Sequence, residues 1–164
     1  AGTRRADLPD GITALRTYDR LALGPRSLAE PVDDVCLPVA GPGRYRLLDQ
    51  LVELQLAPPG TPGTLDPATL PDVLFLRNLR PGDRFSTAAG RRKLQDILVD
   101  RKVPAPLRRR VLLLAASDTA SDLLFVAGIG PAHGHRAAPD TPGLRVTIRP
   151  APAASDGEST PSTG

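Results

Sequence analysis

The chain has one cysteine, Cys36, among 164 residues. That excludes an internal disulfide framework and any zinc cluster built on cysteines. It fits a reducing compartment. No apolar run approaches the ~20 residues that a membrane-crossing helix needs. Aromatics are scarce: two tyrosines, three phenylalanines and no tryptophan. Methionine is absent, residue 1 is alanine, and no charged-then-apolar leader occupies 1–20. We therefore expect a fragment of a longer protein. Proline (19) and glycine (15) are plentiful, about a fifth of the chain, which predicts short elements and many loops. Leu, Ile, Val and Phe together make about a quarter, above the ~20% below which cores fail. One compact domain or two small lobes is the expectation.

The net charge of +3 means little until it is mapped. Between Arg77 and Arg110 stand eleven basic residues against Asp83, Asp96 and Asp100, a balance of +8 that leaves −5 for the rest. A basic block on an acidic body is the footprint of a polyanion-binding surface. The bland alternative is a solvated face in an arginine-rich protein. Only Phe85 lies inside the block, whereas single-strand binders stack bases on several aromatics. Recognition of an RNA backbone and its shape is favoured over base stacking.

Strand signals run over Ile12–Leu23, Val35–Val39, Arg44–Leu48, Gln50–Leu56, Val73–Arg77, Val111–Ala115, Leu123–Ile129 and Leu144–Ile148. Gly41-Pro42-Gly43 and Arg80-Pro81-Gly82-Asp83 are turns. Ser117–Ser121 separates two strands as a polar turn. Leu94, Ile97, Leu98 and Arg101 share one helical face, so Arg92–Arg101 reads as a helix. Val103-Pro104 ends it, and Pro106 opens a second at Leu107–Arg110. The result is α+β: mostly antiparallel short strands, with one or two short helices after the basic turn. Three parts are expected: a strand-rich lobe at 1–72 whose stretch 57–72 is a proline-rich connector, a second domain at 73–149, and a disordered tail at 150–164.

Arg77–Phe85 presents Arg77, Arg80 and Arg84 around a tight turn, with Asp83 placed to hold one guanidinium in a bidentate pair. The free forks match phosphate oxygens; the alternative is a turn closed by a local salt bridge. Gly90 before Arg91-Arg92-Lys93 puts three cations at an expected helix start, where the dipole opposes them unless an anion is present. Asp96 and Asp100 stand four apart on the polar helix face, where ordinary ion pairing outweighs acid–base work. Asp33-Asp34 reads the same way. His133 and His135 lack a nearby third ligand, so no metal is expected. Cys36 reads as a small buried hydrophobe. No phosphate loop, dinucleotide fingerprint, zinc-protease motif or nucleophile elbow is present.

Arg77-x-x-Arg80-x-Gly82-Asp83-Arg84-Phe85, then Gly90, Lys93-Leu94-x-Asp96, Lys102-Val103-Pro104 and Arg108 form an ordered series that resembles the C-terminal region of tRNA(Ile)-lysidine synthetases. The similarity extends through Leu113-Leu114 and Val126-Ala127-Gly128, covering about 73–130, and more weakly upstream. Ser86-Thr87 stands where that family often has proline, and the 88–92 loop is short. The resemblance implies a tRNA-recognising part of an enzyme that activates the wobble cytidine of tRNA(Ile) with ATP and attaches lysine. The S-G-G-x-D-S loop of the family's catalytic domain is absent here. It implies no catalytic residue and no cofactor in this chain, ATP in the parent enzyme, a missing N-terminal ligase domain as partner, no membrane, and a cytoplasmic location. The implied RNA-binding positions are Arg77, Arg80, Arg84, Arg91, Arg92, Lys93, Lys102 and Arg108, gripping tRNA near its acceptor end. Gly82, Asp83, Gly90 and Pro104 would shape the turns. Two other functions stay open: an interaction lobe for an acidic protein, and a self-contained enzyme drawing on Asp96, Asp100, His133 or His135.

Overall fold

The computed structural model describes residues 4–17, 20–25, 32–118 and 123–151. At the N-terminal end β1 (Arg4–Leu8), β2 (Ile12–Thr17) and β3 (Arg20–Pro25) form an antiparallel sheet in that order. The expected single strand over 12–23 is therefore two. They pair up to Thr17↔Arg20, which leaves two residues to reverse the chain. Strand-forming residues run straight through that reversal with no glycine or proline to mark it. Tyr18 and Asp19 themselves lie outside the described residues. β1 escaped the sequence reading because RRADL is exposed throughout and carries no apolar alternation.

The main body is built on a five-stranded sheet ordered β12 (Gly130–Pro131), β11 (Leu123–Val126), β10 (Leu112–Ala115), β7 (Leu74–Asn78), β4 (Cys36–Val39). All its pairings are antiparallel. β10 reads LLLA because it is buried on both faces. Leu112 and Leu114 pack with Val52, Leu54 and Leu144 of a second sheet, β13 (Gly143–Pro150), β6 (Gln50–Ala57), β5 (Gly43–Leu47). Leu113 and Ala115 face the other way, onto Phe85, Leu94, Ile97 and Leu98. Those four come from β8 (Arg84–Thr87) and α1 (Leu94–Asp100). Each fully buried leucine contributes about 1.5–3 kcal/mol, so both layers hold the central sheet from opposite sides.

No break in packing falls at the expected 72/73 boundary. β4 pairs with β7 and β6 with β13, and one core joins Val39 and Val52 to Leu74 and Phe125. The connector is likewise threaded into the body. Leu65 is fully buried and exchanges backbone hydrogen bonds with Leu144 at 2.9 and 2.8 Å. Prolines keep this stretch out of long ladders, but Leu65 and the partly buried Leu70 between them anchor it to the core.

Both expected helices are present, the first shorter than expected and the second displaced by two residues towards the N-terminus. α1 starts at Leu94, because Arg92 and Lys93 belong to β9 (Gly90–Lys93), which pairs with β8. α2 covers Ala105–Arg108 with Pro104 at its N-cap, in place of Leu107–Arg110. The last strand reaches Pro150, which pairs with Gln50; the expected tail beyond 151 lies outside the described residues, as does most of the 117–121 turn.

Candidate nucleic-acid interface

Asp83 organises the basic turn. Pro81 followed by Gly82 at φ +89° is the pattern of a type II turn, closed by the Asp83 N–H donating to the Arg80 carbonyl at 3.2 Å. The Asp83 carboxylate accepts the Arg80 backbone N–H at 2.8 Å and both Arg77 terminal nitrogens at 2.9 and 2.8 Å. Its carbonyl accepts the first N–H of α1, from Leu94, at 2.9 Å. One aspartate thus joins strand, turn and helix.

That arrangement removes Arg77 from the expected RNA-binding set. Its side chain is 1% exposed, inside a bidentate ion pair, and also donates to the Asn78 carbonyl at 3.0 Å. The local salt bridge weighed as an alternative is the one the fold builds. Arg80 is also occupied. It donates to the Asp118 carbonyl, and its Nε lies 4.0 Å from the Asp34 carboxylate, which Arg109 shares. Asn78 reinforces this corner, donating to the carbonyls of Asp33 and Arg109 at 3.0 Å and accepting the Val35 N–H at 3.1 Å. Nothing in the local sequence marks Asn78 for that role, because its partners lie 31 to 45 residues away.

The helix-start argument for Arg91, Arg92 and Lys93 gives way to a hairpin. Gly90, at φ +120°, turns the chain back instead of opening a helix. Arg92 reaches from β9 to Asp100 at the far end of α1, at 2.7 Å. So Asp100 pairs across a strand–helix corner. Arg108 uses its Nε on the Val103 carbonyl at 2.9 Å, and Lys102 sits at φ +60° where α1 ends. Pro104 stands at the N-cap of α2, its carbonyl accepting the Leu107 N–H at 2.9 Å.

What remains is one face of the hairpin. Directly opposed residues on antiparallel strands point the same way, with Cβ atoms about 4.5–5.5 Å apart. Register pairs Arg84 with Lys93 and Ser86 with Arg91, so these four share a face. Phe85 points inward to the core. Arg84, Arg91 and Lys93 have no hydrogen-bond or ion-pair partner among the described residues. Like charges set directly opposite each other destabilise a sheet unless an anion sits between them.

His133 and His135 flank Gly134 in the turn after β12, beside this face. The His133 N–H donates to the Ser86 carbonyl at 2.9 Å, and His135 Nδ1 shares a hydrogen bond of 2.9 Å with the Thr69 hydroxyl. Among the described residues no three His, Cys, Asp or Glu gather to hold a metal. Cys36, expected as a small buried hydrophobe, is partly exposed on the edge strand β4. Burial pushes its thiol up from the ordinary value, while Arg80 and Arg77 pull it down. No helix among the described residues is long and apolar enough to cross a membrane.

Comparison with known proteins gives this geometry a family. Residues 74–148 match the family described as the TilS substrate C-terminal domain. A tRNA(Ile)-lysidine synthase of Symbiobacterium thermophilum is 36% identical over 96% of this chain and 36% of its own length. Another, from Geobacter sulfurreducens, is 33% identical over 76% of this chain and 28% of its own. The chain thus spans about a third of the curated relatives it matches. A crystal structure of a TilS C-terminal domain superposes with a TM-score of 0.60 at 19% identity, covering 74% of this chain and all of that one, which supports the fold. Residues 74–148 thus carry a match to the TilS substrate C-terminal domain, and over most of its length the chain is similar to tRNA(Ile)-lysidine synthases.

Proposed function

We propose that this chain grips tRNA with the outer face of the β8–β9 hairpin, as the recognition part of a ligase that attaches lysine to the wobble cytidine of tRNA(Ile). The observation that carries this reading is the cluster of Arg84, Arg91 and Lys93 on one exposed face, with no carboxylate among the described residues to neutralise it. Guanidinium forks match phosphate oxygens in geometry, and three such charges release counterions on binding. Lys102 and Arg108 add charge from the connection between the helices. The scarcity of aromatics argues for contacts to backbone and shape over stacked bases. The chain's similarity to tRNA(Ile)-lysidine synthases supports tRNA(Ile) as the substrate. The reading includes contact near the acceptor end, a cytoplasmic setting, and chemistry with ATP in a separate N-terminal domain bearing the S-G-G-x-D-S loop. RNA-binding through Arg77 is withdrawn, and Arg80 and Arg92 become supports of the turn and helix.

The test is tRNA(Ile) binding by the full chain across a salt series. R84A/R91A/K93A should weaken binding and reduce the slope of log K against log salt by about two to three, given ~0.7–0.9 per phosphate contact. An unchanged affinity and slope would overturn the reading. Competition by an acidic peptide as strong as by RNA would shift it to a protein partner.

A further inference from the structure

We infer that the cavity behind this hairpin face is a preformed subsite for a single phosphate group. The inference rests on the tRNA-binding reading and deepens it. The cavity measures about 250 Å³ and lies between β8–β9, the 132–135 turn and the end of the connector. Pockets for drug-sized ligands begin at roughly 300 Å³, so this one suits a phosphate with its sugar and not a base-paired step. Six residues with polar side chains line it: Arg84, Arg91, Ser86, His133, His135 and Thr69, whose hydroxyl already donates to the Asp66 carbonyl at 2.9 Å. Among the described residues no aspartate or glutamate does.

Charge decides what such a cavity takes. Two histidines two residues apart suggest a metal when read alone. Arg84 and Arg91, without a partner among the described residues, line the same space, and their charges repel a cation. The same four groups attract a phosphate, whose oxygens accept from planar forks in pairs. Gly134, at φ +95°, bends the turn so that the histidines on both sides of it line the cavity. Both walls are already fixed to each other. His133 N–H is bonded to the Ser86 carbonyl, and the His135 carbonyl accepts the Asp66 N–H at 2.8 Å. The Thr69 hydroxyl holds the His135 ring through Nδ1. A ligand entering a site held this way loses less to ordering of side chains and loops.

These are the chain's two histidines, so both imidazole signals can be read by proton NMR in the full chain and assigned with H133N and H135N. Inorganic phosphate, added at pH 7 and constant ionic strength, should move both signals along one saturating curve. R84A/R91A should abolish the movement, and R16A, on the separate N-terminal sheet, should leave it. Signals that stay still, or that move equally in R84A/R91A, overturn the subsite. A short RNA duplex then identifies the source of the phosphate. A tenfold gain in affinity from a 5′-phosphate over a 5′-hydroxyl supports a chain terminus, and equal affinity with both signals moving supports an internal phosphodiester. Binding of tRNA with still imidazoles sinks the subsite and spares the tRNA reading. Imidazoles that answer phosphate in a chain that ignores tRNA do the reverse.

Discussion

Two adjoining stretches of the basic block, Arg77–Asp83 and Arg84–Lys93, look alike as strings of arginine and have opposite fates. In the first, Asp83 gathers Arg77 into a buried bidentate pair and holds the Arg80 backbone, while Asp34 and the Asp118 carbonyl take the Arg80 side chain. In the second, the hairpin register lines Arg84, Arg91 and Lys93 on one face, with no ion-pair partner among the described residues. The lesson is that positive charge becomes a binding surface only where carboxylates are withheld. Where they are supplied and water is excluded, the same guanidinium becomes a structural tie.

The widest gap between the two stretches should appear on breaking the buried pair. Asp83→Asn leaves the Arg77 charge uncompensated inside the protein and should cost about 3–5 kcal/mol, read as a shift of the urea midpoint. R77M/D83L, which removes both charges, should recover much of that loss. The exposed face should respond in the opposite way. R84A/R91A/K93A should hold stability within about 0.5 kcal/mol while tRNA affinity falls at least tenfold. Equal destabilisation by both sets would erase the contrast. Between the extremes lies Arg92–Asp100, a bridge with side chains 47% and 63% exposed. Asp100→Ala should cost under about 1 kcal/mol, and less at high salt. The smallest effect concerns Cys36, whose thiol burial holds above its ordinary value. Less thiolate forms at a given pH, so alkylation by iodoacetamide at pH 8 should run slower than in the urea-unfolded chain. Arg80→Ala removes a cation that stabilises the thiolate and should slow it further.

Much of the fold was legible. Apolar runs such as Val111–Ala115 and Leu123–Ile129 marked central strands, because a strand buried on both faces has few polar positions. Pro81-Gly82 marked its turn, since proline presets φ and glycine accepts the left-handed region. Arg92 and Lys93 were misread as helical because helix periodicity at Leu94, Ile97 and Leu98 extends backwards without a stop signal. Only pairing with Arg84 and Phe85 keeps them extended. The connector's anchoring is not legible in its prolines, which signal the absence of ladders and say nothing of Leu65 and Leu70 packing on a core.

The amino-acid order alone determined the strand-rich α+β character, the concentration of charge between 77 and 110 and the likeness to lysidine synthetases, since local propensity, charge count and motif order are properties of neighbours in the chain. Which arginines stay free was decided by the tertiary structure. Asp34 reaches Arg109 across 75 residues, and strand register sets the side on which Arg91 emerges. A guanidinium's fate depends on the acid nearest in space and on the water left around it, and neither quantity is written in sequence separation.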